Sequence, residues 1–233
     1  MSTARIRAAA VHAYTASGVL LAFIATIELC SVEPDPRAVF ALLALAVMVD
    51  ATDGPLARRW EVKRVLPVIE GRTIDDIVDY LTYTFVPLLL VWRMEWVPEP
   101  AAVWIAPALL ASLFGFANTG IKDERGGFFL GFPSYWNVVA FYAGLLAEGY
   151  GPVINAAILL LLALATLLPL RFLYPNLTPR PWRTPVILGA LFWLGAMLAM
   201  LPDYPSVPAW ALWLSLLYPA FYVGLSFRLA ARR

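Results

Sequence analysis

Two short stretches of this sequence carry acidic residues at a spacing that can support chemistry at phosphorus. The first reads Asp50-Ala51-Thr52-Asp53-Gly54-Pro55-Leu56-Ala57-Arg58, the second Gly71-Arg72-Thr73-Ile74-Asp75-Asp76-Ile77-Val78-Asp79. Counted from Asp50, the residues Asp53, Gly54, Ala57 and Arg58 stand at offsets 3, 4, 7 and 8. At 3.6 residues per turn those offsets share one helical face, although Pro55 can kink its end. Counted from Gly71, Asp75 and Asp79 stand at offsets 4 and 8, again one face. A short charged loop joins the two stretches, so the faces are expected to converge. Four carboxylates brought together repel and cannot all stay ionised unaided. Two divalent cations would cancel their charge. Oxygen ligands without nearby Cys or His favour Mg²⁺, Mn²⁺ or Ca²⁺ over zinc, and a pair of such ions is a known clamp for displacement at phosphorus. Gly54 and Ala57 leave room for a ligand against the helix, and Arg58 can grip a phosphate. Asp76 lies off the Asp75/Asp79 face and reads as an ordinary interfacial charge.

The elements that must hold these residues follow from composition. Of 233 residues, 61% are apolar and 14% are charged, against about 25% charged in soluble domains. One soluble core of this size cannot hide so much apolar surface. A net charge of +1 gives no reason to expect nucleic acid as a partner. Cys30, the single cysteine, cannot form an internal disulfide, and His12, the single histidine, excludes a multi-histidine metal site. Eight apolar runs are long or nearly long enough to cross a bilayer: about Thr15–Cys30, Ala38–Ala57, Asp75–Trp92, Ala101–Gly120, Tyr135–Ala147, Pro152–Leu170, Pro185–Leu201 and Pro208–Phe227. They lack the alternation of barrel strands, so helices are expected. The fold expected is an all-α integral membrane protein of about eight transmembrane helices, a single polytopic catalytic domain over residues 1–233. With eight spans, all but two of the 17 lysines and arginines, Arg37 and Arg93, fall on the side of the chain ends. The positive-inside rule then puts both termini in the cytoplasm. The carboxylate loop lies on that same side.

The eight fixed residues Asp50, Asp53, Gly54, Ala57, Arg58, Gly71, Asp75 and Asp79 resemble the signature of the CDP-alcohol phosphotransferase family, D-x-x-D-G-x-x-A-R followed by G-x-x-x-D-x-x-x-D. The resemblance covers residues 50–79, and the multi-helix layout extends it along the chain. It implies a membrane-embedded helical bundle that displaces CMP from a CDP-linked molecule with an acceptor hydroxyl, assisted by Mn²⁺ or Mg²⁺. It implies Asp50, Asp53, Asp75 and Asp79 as metal ligands and Asp79 as the catalytic base. It also implies Asp50, Gly54, Ala57, Arg58 and Gly71 as nucleotide and diphosphate contacts. Members are often homodimers. Twelve residues separate Arg58 from Gly71, a longer spacer than most of the family has and similar to that of bacterial phosphatidylcholine synthases. The stretches Phe129–Asn137 and Arg171–Pro175 are also similar to that branch. The branch implies CDP-diacylglycerol and choline as substrates and a bacterial inner membrane, with the site on its cytoplasmic side.

A quaternary ammonium acceptor has no N–H donors and is held by aromatic faces. Tyr83, Tyr135 and Trp136 are candidates, with Asn137 for the acceptor hydroxyl; Tyr and Trp also gather at membrane interfaces for anchorage alone. Serine or another small alcohol is the alternative acceptor. Lys122, Arg125 and Arg171 are candidate lipid-phosphate contacts, and equally positive-inside markers. The Gly- and Pro-containing stretch 128–137 is expected to be a loop. The basic residues after Arg58, interleaved with apolar ones, suit contact with membrane lipids. A divalent-cation or proton-coupled transporter is the reading from a different class. It predicts carboxylates near mid-membrane on several helices, whereas here they crowd one interface on two consecutive helices.

Overall fold

The computed structural model describes residues 2–118, 120–123 and 126–232. Its helices are α1 (Thr3–Leu29), α2 (Pro36–Arg59), α3 (Val62–Val65), α4 (Gly71–Asp79), α5 (Val86–Arg93), α6 (Ala102–Ala117), α7 (Trp136–Tyr150), α8 (Val153–Leu167), α9 (Arg183–Met200), α10 (Ala209–Ser215) and α11 (Leu217–Ala230). Four segments have the length and apolarity to cross a membrane: Thr3–Leu29, Pro36–Arg59, Arg183–Asp203 and Ala209–Ala230; Ala102–Ala117 and Val153–Leu167 are shorter apolar helices. Large apolar side chains stand bare along them, Phe23 at 62% and Phe192 at 76% exposure. In water such surfaces would aggregate; in lipid they are solvated. The protein is an integral membrane protein built mainly of helices.

The chain forms two compact units. The first comprises residues 1–93 with 136–140. The Ser2 hydroxyl caps α1 by accepting the Arg5 amide at 3.4 Å. α2 opens on Pro36, with Asp35 as its cap accepting the Arg37 amide at 2.9 Å. The Arg37 guanidinium beside Asp35 holds that carboxyl below its usual range. α2 continues through Pro55 to Arg59. A π-helical segment, Tyr80–Phe85, joins α4 to α5, so residues 71–93 form one uninterrupted helical run. At about 1.5 Å per residue that run matches a hydrocarbon layer of roughly 30 Å.

Three contacts fix α1 parallel to this run. A Cβ on Gly71 would meet His12, and one on Gly18 would overlap Val78 Cγ1. Further along, Arg93 donates to the carbonyls of Leu29 (3.1 Å), Ser31 (3.1 Å) and Val32 (3.2 Å), closing the end of α1. α2 returns antiparallel; the hydroxyls of Tyr14 and Thr52 lie 2.8 Å apart. At the other end, Ala8, Val11 and Val62 form a small core with Leu56, Ala57 and Trp60 against it.

The second unit comprises residues 94–135 and 141–233. It holds a feature that an all-α expectation does not contain: three antiparallel strands, β1 (Lys122–Asp123), β2 (Phe128–Leu130) and β3 (Arg171–Leu173), in the order β1-β2-β3. Phe129 pairs with Lys122 on one side and Phe172 on the other. The expected loop 128–137 therefore starts as the central strand. Gly131, at φ +86°, continues from it; a Cβ there would overlap the Thr166 carbonyl. The sheet is tied to α11: Tyr222 donates to the Leu173 carbonyl at 2.5 Å, and the Ser226 hydroxyl accepts the Leu173 amide at 3.1 Å. Phe128, Leu173, Val186 and Leu225 form the core beneath.

Candidate active site

The site lies in the first unit, where α2 and α4 meet. Asp50, Asp75 and Asp79 each offer a carboxylate oxygen, and these oxygens lie within 4.8 Å of one another. All three residues are half-buried. The predicted faces thus converge, with Asp50 from one and Asp75 and Asp79 from the other. Like charges so close repel by about 1–4 kcal/mol per pair between aqueous and partly buried surroundings. Hard oxygen donors at this separation fit a divalent cation.

Asp53 is not among the gathered oxygens. It lies one turn along α2, buried to 6% exposure. Gly54 has a definite use: its missing side chain leaves room for Arg58, whose Nη1 lies 3.3 Å from where a Cβ would stand. The otherwise exposed Arg58 guanidinium is thereby folded back along α2, on the carboxylate face. Ala57 is half-buried against the Ala8/Val11/Val62 core. Asp76 pairs with Arg72 at 3.6 Å, as its place off the shared face predicts.

Of the predicted acceptor contacts, Tyr83 sits in the π segment and donates its hydroxyl to Asp50 Oδ2 at 2.7 Å. Its polar end is therefore tied to the carboxylate trio. Trp136 is fully buried at the head of α7. Asn137 is 9% exposed, its Oδ1 accepting the Val138 amide at 2.9 Å. Tyr135 is half-buried in the second unit, edge-on to Phe132 with ring centres 6.4 Å apart. Among the predicted phosphate contacts, Arg171 is exposed on β3. Lys122 lies on β1, its side chain outside the described set, and Arg125 lies outside the described residues.

Sequence reasoning passes over two features here. The π segment has no sequence signature, because nothing in Tyr80–Phe85 separates it from an ordinary apolar helix. His12 left little signal: the single histidine stands three residues before the apolar run that begins at Thr15, in the first turns of α1. Its Nε2 is buried with no hydrogen-bond partner among the described residues.

No family model matches the chain. Curated relatives do. A phosphatidylcholine synthase of Pseudomonas aeruginosa is 42% identical over 172 residues, which is 73% of this chain and 70% of that protein. One of Rhizobium johnstonii is 33% identical over 220 residues, 94% of this chain and 88% of that protein. One of Agrobacterium fabrum is 34% identical over 212 residues, 89% and 84% of the two chains. The last two matches take in most of the chain, including the helices that gather the three aspartates, and the chain belongs to the phosphatidylcholine synthase branch of the CDP-alcohol phosphotransferase family.

Proposed function

We propose that this chain synthesises phosphatidylcholine by moving the phosphatidyl group of CDP-diacylglycerol onto choline, with release of CMP. The observation that carries the reading is the gathering of Asp50, Asp75 and Asp79 on the signature of a family whose relatives bear that name. Two Mg²⁺ or Mn²⁺ ions held by Asp50, Asp53, Asp75 and Asp79 would neutralise the diphosphate and the departing CMP. The burial of Asp53 supports the larger set, because carboxylates are almost never buried this far without a counter-charge.

The chain's own residues divide the remaining work. Arg58, seated over Gly54, grips the diphosphate. Asp79 takes the choline hydroxyl proton as the oxygen bonds to phosphorus and the bond to CMP breaks. Tyr83 fixes the Asp50 carboxylate by hydrogen bonding. Gly71 and Ala57 are assigned to the nucleotide as small residues of the two helix faces. Tyr135, Trp136 and Asn137 are assigned to the acceptor, together with the ring of Tyr83, and Lys122, Arg125 and Arg171 to lipid phosphate. The reading places one catalytic domain of about eight spans, possessing cytoplasmic termini and a cytoplasmic active site, in a bacterial inner membrane, as a homodimer. Charge asymmetry and the family support it.

The test is CMP release by the purified chain in lipid nanodiscs, given CDP-diacylglycerol and Mn²⁺ or Mg²⁺. Choline, serine, inositol, glycerol 3-phosphate or no acceptor is supplied in turn. Release with choline alone is the expected result. Release with serine or another alcohol instead would discard the choline assignment and keep the carboxylate mechanism. No release from folded protein under any condition would overturn the enzyme reading and favour ion transport.

A further inference from the structure

Among the described residues of the first unit, His12 is the buried polar ring to which the proposed mechanism gives no work. It is 9% exposed, and its Nε2 has no partner among the described residues. Its place is well defined. A Cβ on Gly71 would stand 3.0 Å from His12 Cε1 and 3.5 Å from Nδ1, so the imidazole occupies the space that a side chain at Gly71 would take. Gly71 shares a face of α4 with Asp75 and Asp79, and side chains four apart on a helix are neighbours at about 5–6 Å. The imidazole therefore stands about one turn from the carboxylate trio, toward the first residue of α4. That end adjoins the exposed loop 67–70, where Val68 is 95% exposed; the opposite end runs into the apolar residues of α5. The helix that carries the ring is held on two sides. Gly18 against Val78 sets the α1–α4 approach, and Tyr14 beside Thr52 pins α1 to α2.

A CDP-linked lipid is polar at one end only. With its diphosphate at the carboxylates and its acyl chains in the bilayer, its nucleoside must lie toward the head of α4, where His12 is. We infer that His12 is a nucleoside-positioning residue, its Nε2 bonding a ribose hydroxyl or the polar edge of the cytosine. A neutral imidazole offers one donor and one acceptor nitrogen, which suits either partner. Leaving a buried nitrogen unsatisfied is costly, and a substrate that satisfies it recovers that cost on binding. Gly71 then has a second use in this site: it gives the imidazole its seat. The inference rests on the CDP-lipid reading given above.

The competing account is that His12 only fills the space beside Gly71. Four variants separate the two: His12→Ala, His12→Gln, Gly71→Ala and the double variant His12→Ala/Gly71→Ala. The full-length chain in nanodiscs is assayed for CMP affinity in Mn²⁺, for KM of CDP-diacylglycerol and of choline, and for the thermal midpoint without nucleotide. His12→Ala is expected to weaken CMP binding and raise the donor KM by about tenfold, the loss of one hydrogen bond to a polar ligand, with the choline KM unmoved. His12→Gln should recover part of the loss. The double variant should regain the midpoint lost in Gly71→Ala but not the CMP affinity. CMP affinity unchanged in His12→Ala, or restored in the double variant together with the midpoint, would overturn the assignment while leaving the enzyme reading intact. A wild-type chain that neither binds CMP nor releases it from CDP-diacylglycerol would overturn the enzyme reading, and this inference with it.

Discussion

At the scale of residues, the site is a charge problem whose solution was partly visible in the sequence. Offsets of three, four and eight residues name the faces of two helices, and helical geometry is regular enough that Asp50, Asp75 and Asp79 do converge. What spacing cannot reveal is which rotamers and which neighbours the carboxylates choose. Asp53 shares the Asp50 face yet stays out of the trio, and Tyr83, an aromatic ring suited to a cationic acceptor, also hydrogen-bonds a carboxylate through its hydroxyl. Two substitutions follow from this arrangement. Asp79→Asn keeps the shape and removes the base, so turnover should fall to background while metal-dependent CMP binding persists; single-turnover CMP release beside a binding assay checks it, and wild-type-like turnover would remove the role. Tyr83→Phe deletes only the hydroxyl that orients Asp50. Losing such an outer partner costs about 10–100-fold in metal affinity elsewhere. The Mn²⁺ concentration for half-maximal rate should rise on that order while the KM of choline holds. A choline KM that rises instead would put the Tyr83 hydroxyl, and not its ring alone, at the acceptor.

At the scale of elements, the long helices were legible and the short irregular pieces were not, for one physical reason. Periodicity needs several turns to show. α2 is read within two residues at either end, and the runs that become α6, α8 and α9 are found within three. α1 begins twelve residues before the expected start at Thr15, because Ser2 caps it and its first three turns leave the apolar stretch. Strands of two and three residues cannot display alternation, so the sequence predicts only a loop where the central strand begins at Phe128. Nor does composition betray where helices touch. Gly18 sits in an unremarkable apolar run, yet a methyl there would strike Val78 and push α1 off α4, displacing both His12 and the carboxylate face. Gly18→Ala should therefore lower the thermal midpoint, at a cost of about 1–3 kcal/mol for overpacking, and reduce turnover with it. Val78→Ala, made in the same chain, opens the space the new methyl needs and should recover most of both losses. Melting and CMP release on the single and double variants decide the matter, and a double variant no better than Gly18→Ala would show that the contact does not set the helix spacing.

At the scale of the whole molecule, the open matter is how the chain sits across the membrane, and the chain carries its own probe. Cys30 is the only cysteine and is exposed, at the end of α1. α1 starts among Arg5 and Arg7, while the turn between α1 and α2 carries Glu33 and Asp35, with the lone Arg37 in the first turn of α2. Basic residues are retained on the cytoplasmic side, and acidic ones count for little in that choice. The argument therefore rests on the two arginines before α1 and the five lysines and arginines from Arg58 to Arg72 that follow α2. Both groups must face the same side, since α1 and α2 run antiparallel and their contact at Tyr14 and Thr52 places the start of one beside the end of the other. Asp50, Asp75 and Asp79 lie toward that basic end, and Arg93 closes the opposite one. Cys30 is thus predicted to react with a membrane-impermeant maleimide applied outside intact spheroplasts. A cysteine installed by Ser2→Cys in a Cys30→Ser background should react only after the membrane is opened. The reverse pattern would put the carboxylates on the outer face, away from a nucleotide-linked donor supplied from the cytoplasm. The orientation is thus a condition of the proposed chemistry as well as of the fold.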